Sequence, residues 1–312
     1  MTIPPPVRWG VLAPTARIAR LAVLPALEAS PKCEVVATAS QSRGESYDQL
    51  LDDPEVEVVY IPLPNNLHAE WTMRAAAAGK HVLCEKPLAC SADEARDMAL
   101  ACQKAGVLLM EAYMTPFHPR SAMVADVLRS GRLGSLRFGR TAFTGVLEPP
   151  DDHRWRPEMG GGALLDVGIY CVAPLLMAAA RPPIGISAAA AVTEGGVDSS
   201  CSGWFDFGSG FTAAFECSFE APERQAVEFV GTDAVLTLER SFTPSLPDTT
   251  ISLLTRDGQR EVLEAQPGDP YRGMVDHVAT VIRGGDQLRR RPADSIALLE
   301  VLDRVRAAAG LP

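Results

Sequence analysis

Lys86 stands directly before a proline and shortly after the apolar run 82–84. The pattern predicts a strand over 56–61 and a helix over 69–78, so 82–84 is expected to form the next parallel strand of a βαβ unit. Ligands of open α/β sheets bind outside the carboxyl ends of the strands, where the ammonium of Lys86 would reach. The pattern therefore favours a chemical role for Lys86 over that of a surface lysine in a loop.

A second group of chemistry-bearing residues follows the glycines at 160–162. The apolar run after them predicts a helix on which Asp166 and Tyr170 are four residues apart and therefore share one face. Taken singly, the aspartate is typical of an N-cap and the tyrosine of a core. If their shared face meets the crevice of Lys86, the positive charge lowers the pKa of the phenol and readies Tyr170 for proton exchange at a carbinol.

The elements that must position these residues follow two different patterns. The first third of the chain predicts a doubly wound parallel sheet, with strands at 7–12, 34–39, 56–61, 82–84 and 107–110 and helices at 17–29, 69–78 and 91–105. Later segments predict a mostly antiparallel sheet, with strands at 136–147, 186–192, 202–207, 212–219, 225–230, 234–238 and 250–254. The chain is therefore predicted to be α/β, with one domain at 1–115 and an α+β domain at 116–312 whose C-terminal helices, 274–282 and 295–309, pack back on the body.

The turn after the first predicted strand is a candidate phosphate-binding turn without the usual glycines. A dinucleotide fold places Gly-x-Gly-x-x-Gly there, so that the backbone approaches the pyrophosphate at the helix N-terminus. Small residues occupy the turn here, and the Thr15 hydroxyl can donate to a phosphate oxygen. The motif alone fits an ordinary strand–helix turn equally well. The candidate cofactor-binding residues of this turn are Ala13, Thr15, Ala16, Arg17 and Ile18.

The end of the second predicted strand bears on the choice of nicotinamide cofactor. An acidic residue there binds the ribose 2′-hydroxyl of NAD, whereas arginine and hydroxyl groups bind the 2′-phosphate of NADP. This chain has Ser40, Ser42 and Arg43, which predicts NADP(H) in preference to NAD(H). Glu45 argues in the opposite direction, and Ser42 and Arg43 could instead be plain loop residues.

The composition argues against several classes of function. The chain has 312 residues, 47% of them hydrophobic, which is enough for a large core. Its formal net charge of −10 argues against nucleic-acid or membrane-surface partners. Seven cysteines without a C-x-x-C pair predict reduced, buried thiols and no metal site. Residues 1–6 lack a secretory-signal pattern, and the apolar run 167–180, about 14 residues long, is too short to span a bilayer. We therefore expect a soluble cytoplasmic protein.

Three motifs together resemble those of the Gfo/Idh/MocA oxidoreductases: Cys-Glu-Lys-Pro around Lys86, the Pro-Asn loop at 62–68, and the glycine-to-tyrosine segment 161–170. The resemblance covers nearly the whole chain and is nearest to the dimeric dihydrodiol dehydrogenase and NADP-dependent D-xylose dehydrogenase branches. It implies a dinucleotide-binding Rossmann domain and a second domain whose open sheet covers the active site and often forms a dimer interface. We therefore expect a small-molecule substrate and a homodimer, or higher homo-oligomer, formed through that sheet.

The resemblance also implies roles for individual residues. The residues that would serve hydride transfer are Lys86, Asp166 and Tyr170. The loops that follow the strands would hold the cofactor through Leu63, Pro64, Asn65, His68, Glu85 and Lys86. The substrate pocket would be formed by Tyr113, Arg154, Trp155, Asp166 and Tyr170.

The chain departs from the family pattern in three places. Between the second strand and the Pro-Asn loop it has roughly twenty fewer residues than is common, so we expect a Rossmann sheet truncated at its outer edge. Within residues 113–119, a proline stands where arginine is frequent, which removes a possible cofactor or substrate contact. The phosphate turn lacks its glycines. We expect these departures to affect cofactor affinity more than the catalytic roles of Lys86, Asp166 and Tyr170.

The sequence thus predicts an NAD(P)-dependent dehydrogenase or reductase. It would transfer a hydride between nicotinamide and a secondary alcohol or ketone, or a lactol, of a sugar-like or cyclic diol substrate. Two alternatives remain open. One is a sugar-nucleotide ketoreductase of a biosynthetic pathway. The other is a sensor or non-redox protein that has lost cofactor use on the same scaffold.

Overall fold

The computed structural model describes residues 4–244, 246 and 248–311. The chain divides into two compact units, Met1–Phe117 with Asp269–Ile296 and His118–Gly268 with Ala297–Pro312. The sequence prediction divided the chain once, between residues 115 and 116, whereas in the structure the segment 269–296 clusters with the first unit. Residues 1–3, on which the expectation about a secretory signal partly rests, lie outside the described residues.

The first unit contains a five-stranded parallel sheet in the order β2-β1-β3-β4-β5. The strands are β1 (Val7–Leu12), β2 (Cys33–Ala39), β3 (Val58–Ile61), β4 (His81–Glu85) and β5 (Leu109–Ala112). All but β2 are almost entirely buried, as expected of strands covered on both faces. β2 is partly exposed and forms one edge of the sheet. The predicted Rossmann sheet with a truncated outer edge is confirmed.

Four helices connect these strands: α1 (Leu24–Ala29), α2 (Tyr47–Asp52), α3 (His68–Ala77) and α4 (Ala92–Ala105). A π-helical turn, Ala19–Val23, leads directly into α1. α2 packs close to β1 because Gly10 has no side chain; a Cβ at Gly10 would lie 2.7 Å from Leu50 Cδ2. α4 begins where the sequence predicts, with the Ser91 hydroxyl accepting from the Glu94 N–H at 3.2 Å.

The second unit contains an eight-stranded sheet in the order β13-β12-β11-β10-β6-β9-β8-β7. Its strands are β6 (Leu136–Val146), β7 (Gly185–Val192), β8 (Asp198–Asp206), β9 (Thr212–Ser218), β10 (Glu220–Gly231), β11 (Ala234–Glu239), β12 (Thr250–Thr255) and β13 (Arg260–Glu264). All neighbours pair antiparallel except β6 and β9, which are parallel. The predicted mostly antiparallel open sheet is confirmed.

Two helices of this unit precede its second strand: α5 (Pro119–Arg129) and α6 (Ile169–Ala179). A π-helical turn, Leu164–Gly168, leads into α6. The helical stretch Pro157–Ala179 has the length and apolar composition of a membrane span, but most of its apolar window is buried inside the protein, as in a core helix.

The C-terminal helices are α7 (Pro270–Ile282) and α8 (Pro292–Ala309), and both begin a few residues earlier than the apolar pattern predicts. Asp269 explains the early start of α7, because its carboxylate accepts from the N–H groups of Tyr271 and Arg272 and Pro270 occupies the first turn.

Candidate functional site

Lys86 directly follows β4, which pairs with β3 on one side and with β5 on the other. The residue therefore lies at the carboxyl edge of the parallel sheet, as the sequence predicts. The Lys86–Pro87 peptide bond is cis, and the lysine is partly buried.

Three side chains hold the backbone of the Lys86 loop. Glu85 accepts a hydrogen bond from the Lys86 N–H at 3.2 Å, and Glu111 accepts one from the Leu88 N–H at 2.9 Å. The Pro87 carbonyl lies 2.8 Å from Nδ1 of His68. Because these contacts involve the backbone on both sides of the lysine, they fix the direction in which its side chain leaves the sheet.

His68 links the Lys86 loop to the loop that follows β3. Its Nε2 lies 2.8 Å from the Leu63 carbonyl, and the side chain is 0% exposed. Burial lowers the pKa of His68, whereas the two carbonyls raise it. Only the doubly protonated imidazole can donate to both carbonyls at once. Both ring nitrogens of His68 are engaged by backbone carbonyls, so the side chain links two loops, and the cofactor contact of His68 stays a prediction.

The buried side chain of Glu111 links the Lys86 loop to Arg290 and Ser295. Its carboxylate, 0% exposed, accepts from Arg290 at 2.9 and 2.5 Å and from the Ser295 hydroxyl at 2.7 Å, in addition to the Leu88 N–H. The Arg290 guanidinium also lies 5.0 Å from the ring centre of Tyr113, which is 4% exposed. No local sequence pattern predicts this cluster, because Glu111 and Arg290 are separated by 179 residues.

Glu85, a predicted cofactor-binding residue, has a fully buried carboxyl group. Tyr60 donates to it at 2.7 Å. Burial raises the pKa of Glu85 to about 7, against the opposing effect of the Tyr60 hydrogen bond. Glu85 directly precedes Lys86 in the sequence, so this raised pKa belongs to a group next to the candidate catalytic lysine.

The candidate phosphate turn has the backbone shape that glycine usually provides. Ala13 has a positive φ of 43° and donates its N–H to the Ala39 carbonyl at 2.8 Å. The helical segment that follows starts at Arg17, after Ala16, whose methyl side chain cannot cap it. Small side chains before an uncapped helix start are compatible with a pyrophosphate. The residues present fit a dinucleotide, although alanine replaces the usual glycine.

The predicted cofactor-choice residues form a small polar cluster after β2. The hydroxyls of Ser40 and Ser42 lie 2.8 Å apart, and Glu45 accepts from the Ser40 N–H at 2.7 Å and from Arg43 at 3.0 Å. The hydrogen bond from Arg43 lowers the pKa of Glu45, so this carboxylate is ionised at neutral pH. The structure thus brings Ser40, Ser42 and Arg43 together, with Glu45 neutralising the guanidinium.

In the second unit, Asp166 forms an ion pair with Arg154. The Arg154 guanidinium donates to Asp166 at 3.2 Å and to both oxygens of Asp152 at 2.9 and 3.0 Å. Burial opposes the charge of Asp152, but the Arg154 contacts prevail and lower the Asp152 pKa to about 2. Arg154 is predicted to line a substrate pocket; the structure shows that it also orients Asp166.

Tyr170 and Trp155 lie among aromatic side chains of the same unit. The ring centre of Tyr170 is 5.5 Å from that of Phe143, and Trp155 meets Phe219 edge-on at 5.2 Å. Tyr170 is 6% exposed. These contacts restrict the tilt of the phenol ring and of the indole.

The glycine-rich loop explains how the segment with Arg154 lies against the helix of Asp166. The N–H groups of Gly161 and Gly162 donate to the carbonyls of Arg156 and Arg154, each at 3.0 Å. A Cβ at Gly161 would lie 2.4 Å from the Arg154 carbonyl oxygen, so any side chain there would push the two segments apart. Among the described residues, no group of three or more His, Cys, Asp or Glu side chains could hold a metal ion.

Comparison with known proteins agrees with this geometry. Residues 17–113 match the model of an oxidoreductase family with an NAD-binding Rossmann fold, GFO_IDH_MocA, and residues 122–237 match the GFO/IDH/MocA C-terminal domain. The chain is 34% identical to D-xylose 1-dehydrogenase (NADP(+)) 2 of Haloferax volcanii, over 96% of this chain and 97% of that protein.

Two further relatives are similar over most of their length. One is dTDP-3,4-didehydro-2,6-dideoxy-alpha-D-glucose 3-reductase of Streptomyces violaceoruber, 36% identical over 97% of this chain and 96% of the relative. The other is a solved structure of a 3-ketoreductase from Actinomadura kijaniata with NADP and TDP-benzene, which superposes with a TM-score of 0.89 at 32% identity, over 97% and 98% of the two chains. The protein is a member of the Gfo/Idh/MocA family of oxidoreductases.

Proposed function

We propose that this protein is an NADP-dependent dehydrogenase or reductase. Its substrate is a secondary alcohol or ketone, or a lactol, of a sugar-like or cyclic diol molecule. The observation that carries the proposal is the placement of Lys86 at the carboxyl edge of the parallel sheet, in a loop whose backbone is held by three buried side chains. The nicotinamide cofactor, when bound, accepts or supplies the hydride.

Each proposed catalytic residue has one task. Lys86 polarises the reacting oxygen, and Tyr170 gives or takes its proton. Asp166, held by Arg154, orients the substrate hydroxyl or the other catalytic groups. Tyr113 and Trp155 complete the proposed substrate pocket. In this proposal, residues 1–115 bind the cofactor and residues 116–312 bind substrate and the partner subunit.

The proposed cofactor-binding residues lie on the loops that follow the strands of the first unit. The turn from Ala13 to Ile18, with Thr15, Ala16 and Arg17, receives the pyrophosphate, and the Ser40, Ser42 and Arg43 cluster receives the 2′-phosphate. Leu63, Pro64 and Asn65, next to the His68 link, complete the cofactor contacts. The NADP(+)-dependent relative of Haloferax volcanii supports this choice of cofactor.

The test is NADP⁺ reduction, followed at 340 nm with D-xylose, other aldoses and cyclic diols, and NADPH oxidation with keto sugars. Lys86→Ala should lower kcat by about 10²–10³-fold, the usual cost of removing one group that stabilises the charge on a reacting oxygen. Lys104→Ala, on the exposed side of α4, is the matched control and should retain activity. Near-normal turnover by Lys86→Ala would refute the assignment.

A sugar-nucleotide ketoreductase is the second candidate function. It is supported by relatives from four actinomycetes named as dTDP-sugar 3-reductases, at 32–37% identity. Turnover of a dTDP-linked keto sugar without turnover of free sugars would establish this candidate in place of the first. Absence of binding of both NADPH and NADH in a calorimetric titration would exclude both candidates and leave a sensor or non-redox role.

We also propose that the protein forms a homodimer through the open face of the eight-stranded sheet. This face has a concavity of about 800 Å³ lined by both charge signs and by an exposed indole. Its side chains include Arg140, Glu216, Arg224, Glu228 and Trp204, which is 47% exposed. Mixed charges on one face can pair across a two-fold axis.

Light scattering tests this assembly. Trp204→Glu should shift the particle to the monomer mass, whereas Met73→Glu, also at an exposed apolar position but in the first unit, should not. A monomeric wild-type protein would refute the proposal. We further propose a cytoplasmic location, supported by seven free cysteines of which six are buried; cell fractionation tests it.

A further inference from the structure

The helical segment with Asp166 and Tyr170 begins without a cap from its own side chains. The helix begins at Ala163, and Gly162 before it has no side chain that could cap it. The cap comes from another element instead: the Leu164 N–H donates to Oδ2 of Asp198 at 2.7 Å. Asp198 is the first residue of β8. A carboxylate at a helix N-terminus satisfies backbone donors and opposes the positive end of the helix dipole.

Gly162 leaves free the space that the Asp198 carboxylate occupies. Its φ is +120°, and a Cβ at this position would lie 2.0 Å from Oδ1 of Asp198. The residue must therefore be glycine for two reasons, its backbone conformation and the space that the carboxylate occupies. The Gly162 carbonyl in turn accepts from the Asp166 N–H at 3.1 Å. Asp198, Gly162 and the first turn of the helix thus form one connected unit.

We propose that Asp198 is a positioning residue for the hydride-transfer reaction, which caps the helix and thereby fixes the rotation and depth of Asp166 and Tyr170. This inference rests on the proposed function, because it assigns Asp198 to the same site. A shift of the first turn would move Asp166 away from Arg154, which holds it at 3.2 Å, and would tilt Tyr170 within its aromatic surroundings. Displacements of this kind, about 1 Å, can cost roughly 10²-fold in rate.

The charged and titratable groups around Asp198 come from three elements. Arg306 of α8 favours the carboxylate, and the charge of Asp198 in turn raises the pKa of the thiols of Cys201 on β8 and Cys217 on β9, in the same direction as their burial. Burial is the largest effect and raises the pKa of Asp198 to about 6, although the backbone N–H groups of Leu164 and Ala163 lower it. The cap therefore loses its charge as the pH falls below about 6.

Asp198→Asn keeps an acceptor for the Leu164 N–H and removes only the charge, so the decisive variant is Asp198→Ala, which removes the cap. For Asp198→Ala we expect kcat to fall about 10- to 100-fold, by the misplacement argument above, with the Kd for NADPH unchanged. The acid limb of the kcat–pH profile near pH 6 should disappear in both Asp198 variants. Asp206→Ala is the matched control, since Asp206 lies at the other end of β8 and also accepts a backbone N–H, from Gly208 at 2.7 Å. A kcat within twofold of wild type, or loss of NADPH binding together with activity, would overturn the proposal.

A second measurement does not depend on activity. Hydrogen exchange followed by mass spectrometry should show faster exchange of the peptide over 162–170 in Asp198→Ala and in Gly162→Ala than in the wild-type protein, but not in Asp206→Ala. Combining Gly162→Ala with Asp198→Ala should add little to either variant alone, because both disrupt the same cap. Unchanged exchange in Asp198→Ala would refute the cap. Faster exchange in Asp198→Ala, together with a wild-type protein that turns over no substrate, would instead refute the proposed function and leave the cap intact.

Discussion

Replacing Glu111 by Gln tests whether the Lys86 loop depends on a buried ion pair. Glu111→Gln preserves the volume of the side chain and the acceptor that faces the Leu88 N–H at 2.9 Å. It removes the negative charge, however, and brings an amide donor toward Arg290, which is 11% exposed and now donates to Glu111 at 2.9 and 2.5 Å. Arg290 would then be a buried cation without its counter-ion.

The magnitude follows from that burial. Removing one partner of a buried ion pair costs about 3–5 kcal/mol. The Ser295 hydroxyl, which donates to the same carboxylate at 2.7 Å, places this site toward the upper half of that range. The exposed pair Glu70–Arg74 on α3 provides the control: both side chains are about half exposed, so Glu70→Gln should cost less than about 1 kcal/mol.

Urea unfolding followed by far-UV circular dichroism measures both variants. We expect the free energy of unfolding to fall by about 3–5 kcal/mol for Glu111→Gln and by under about 1 kcal/mol for Glu70→Gln. Arg290→Met combined with Glu111→Gln should recover part of the loss, because the uncompensated charge is then gone. A loss below about 1 kcal/mol for Glu111→Gln would show that the pair is not desolvated as the structure indicates.

Two other carboxylates give predictions of different kinds. Glu45→Gln should tighten NADPH binding by about two- to fivefold without changing NADH binding, because Glu45 neutralises Arg43 beside the proposed 2′-phosphate position; weaker NADPH binding in a fluorescence titration would contradict this. The pKa of Glu57 is lowered from its usual 4.5 to about 2, and the hydrogen bond from Arg283 is the largest cause. The ionised carboxylate therefore stabilises the fold above pH 4.5, and this contribution is lost as the pH falls toward 2. Glu57→Gln should therefore lower the urea midpoint at pH 7 and flatten its decline between pH 4.5 and 2. An unchanged slope would count against the pairing.

The sequence predicts the place of Lys86 because that place follows from local patterns. A buried apolar run, a preceding helix and a following cap suffice to put the lysine at the end of a parallel strand. The same local logic locates Asp166 and Tyr170 on a helix. It does not show that the helix begins with a π-helical turn, Leu164–Gly168, because that irregularity comes from tertiary contacts.

For two of the elements that the sequence prediction missed, the structure makes the physical reason clear. β13 is an edge strand without a buried position, so it lacks the alternation that marks a half-buried strand. α5 mixes charged and apolar residues without a clear stripe, so its start signal, Pro119 after the His118 cap, was not interpreted as one.

The residues that position the site were less predictable than the residues proposed to react. Lys86 and Tyr170 belong to motifs, whereas Asp198 and Arg290 act across long stretches of sequence on backbone and charge that other segments supply. His68 is predicted to bind the cofactor because its motif is near the strand ends, whereas the structure shows its two ring nitrogens next to two backbone carbonyls. A sequence pattern can identify a candidate side chain, but the partner that this side chain contacts depends on the tertiary structure.

The irregular backbone of this protein explains why such partners are needed. The proposed reactive groups lie where regular hydrogen bonding stops: Lys86 after a strand, Asp166 in a π-helical turn, and the phosphate turn at Ala13 with its positive φ. Backbone groups at these points must find partners outside a ladder or helix, or remain unsatisfied. Buried carboxyl and imidazole groups meet that requirement here, through Glu111 and His68 for the lysine loop and Asp198 for the helix. The stability of these loops and the geometry of the proposed chemistry therefore depend on the same few side chains.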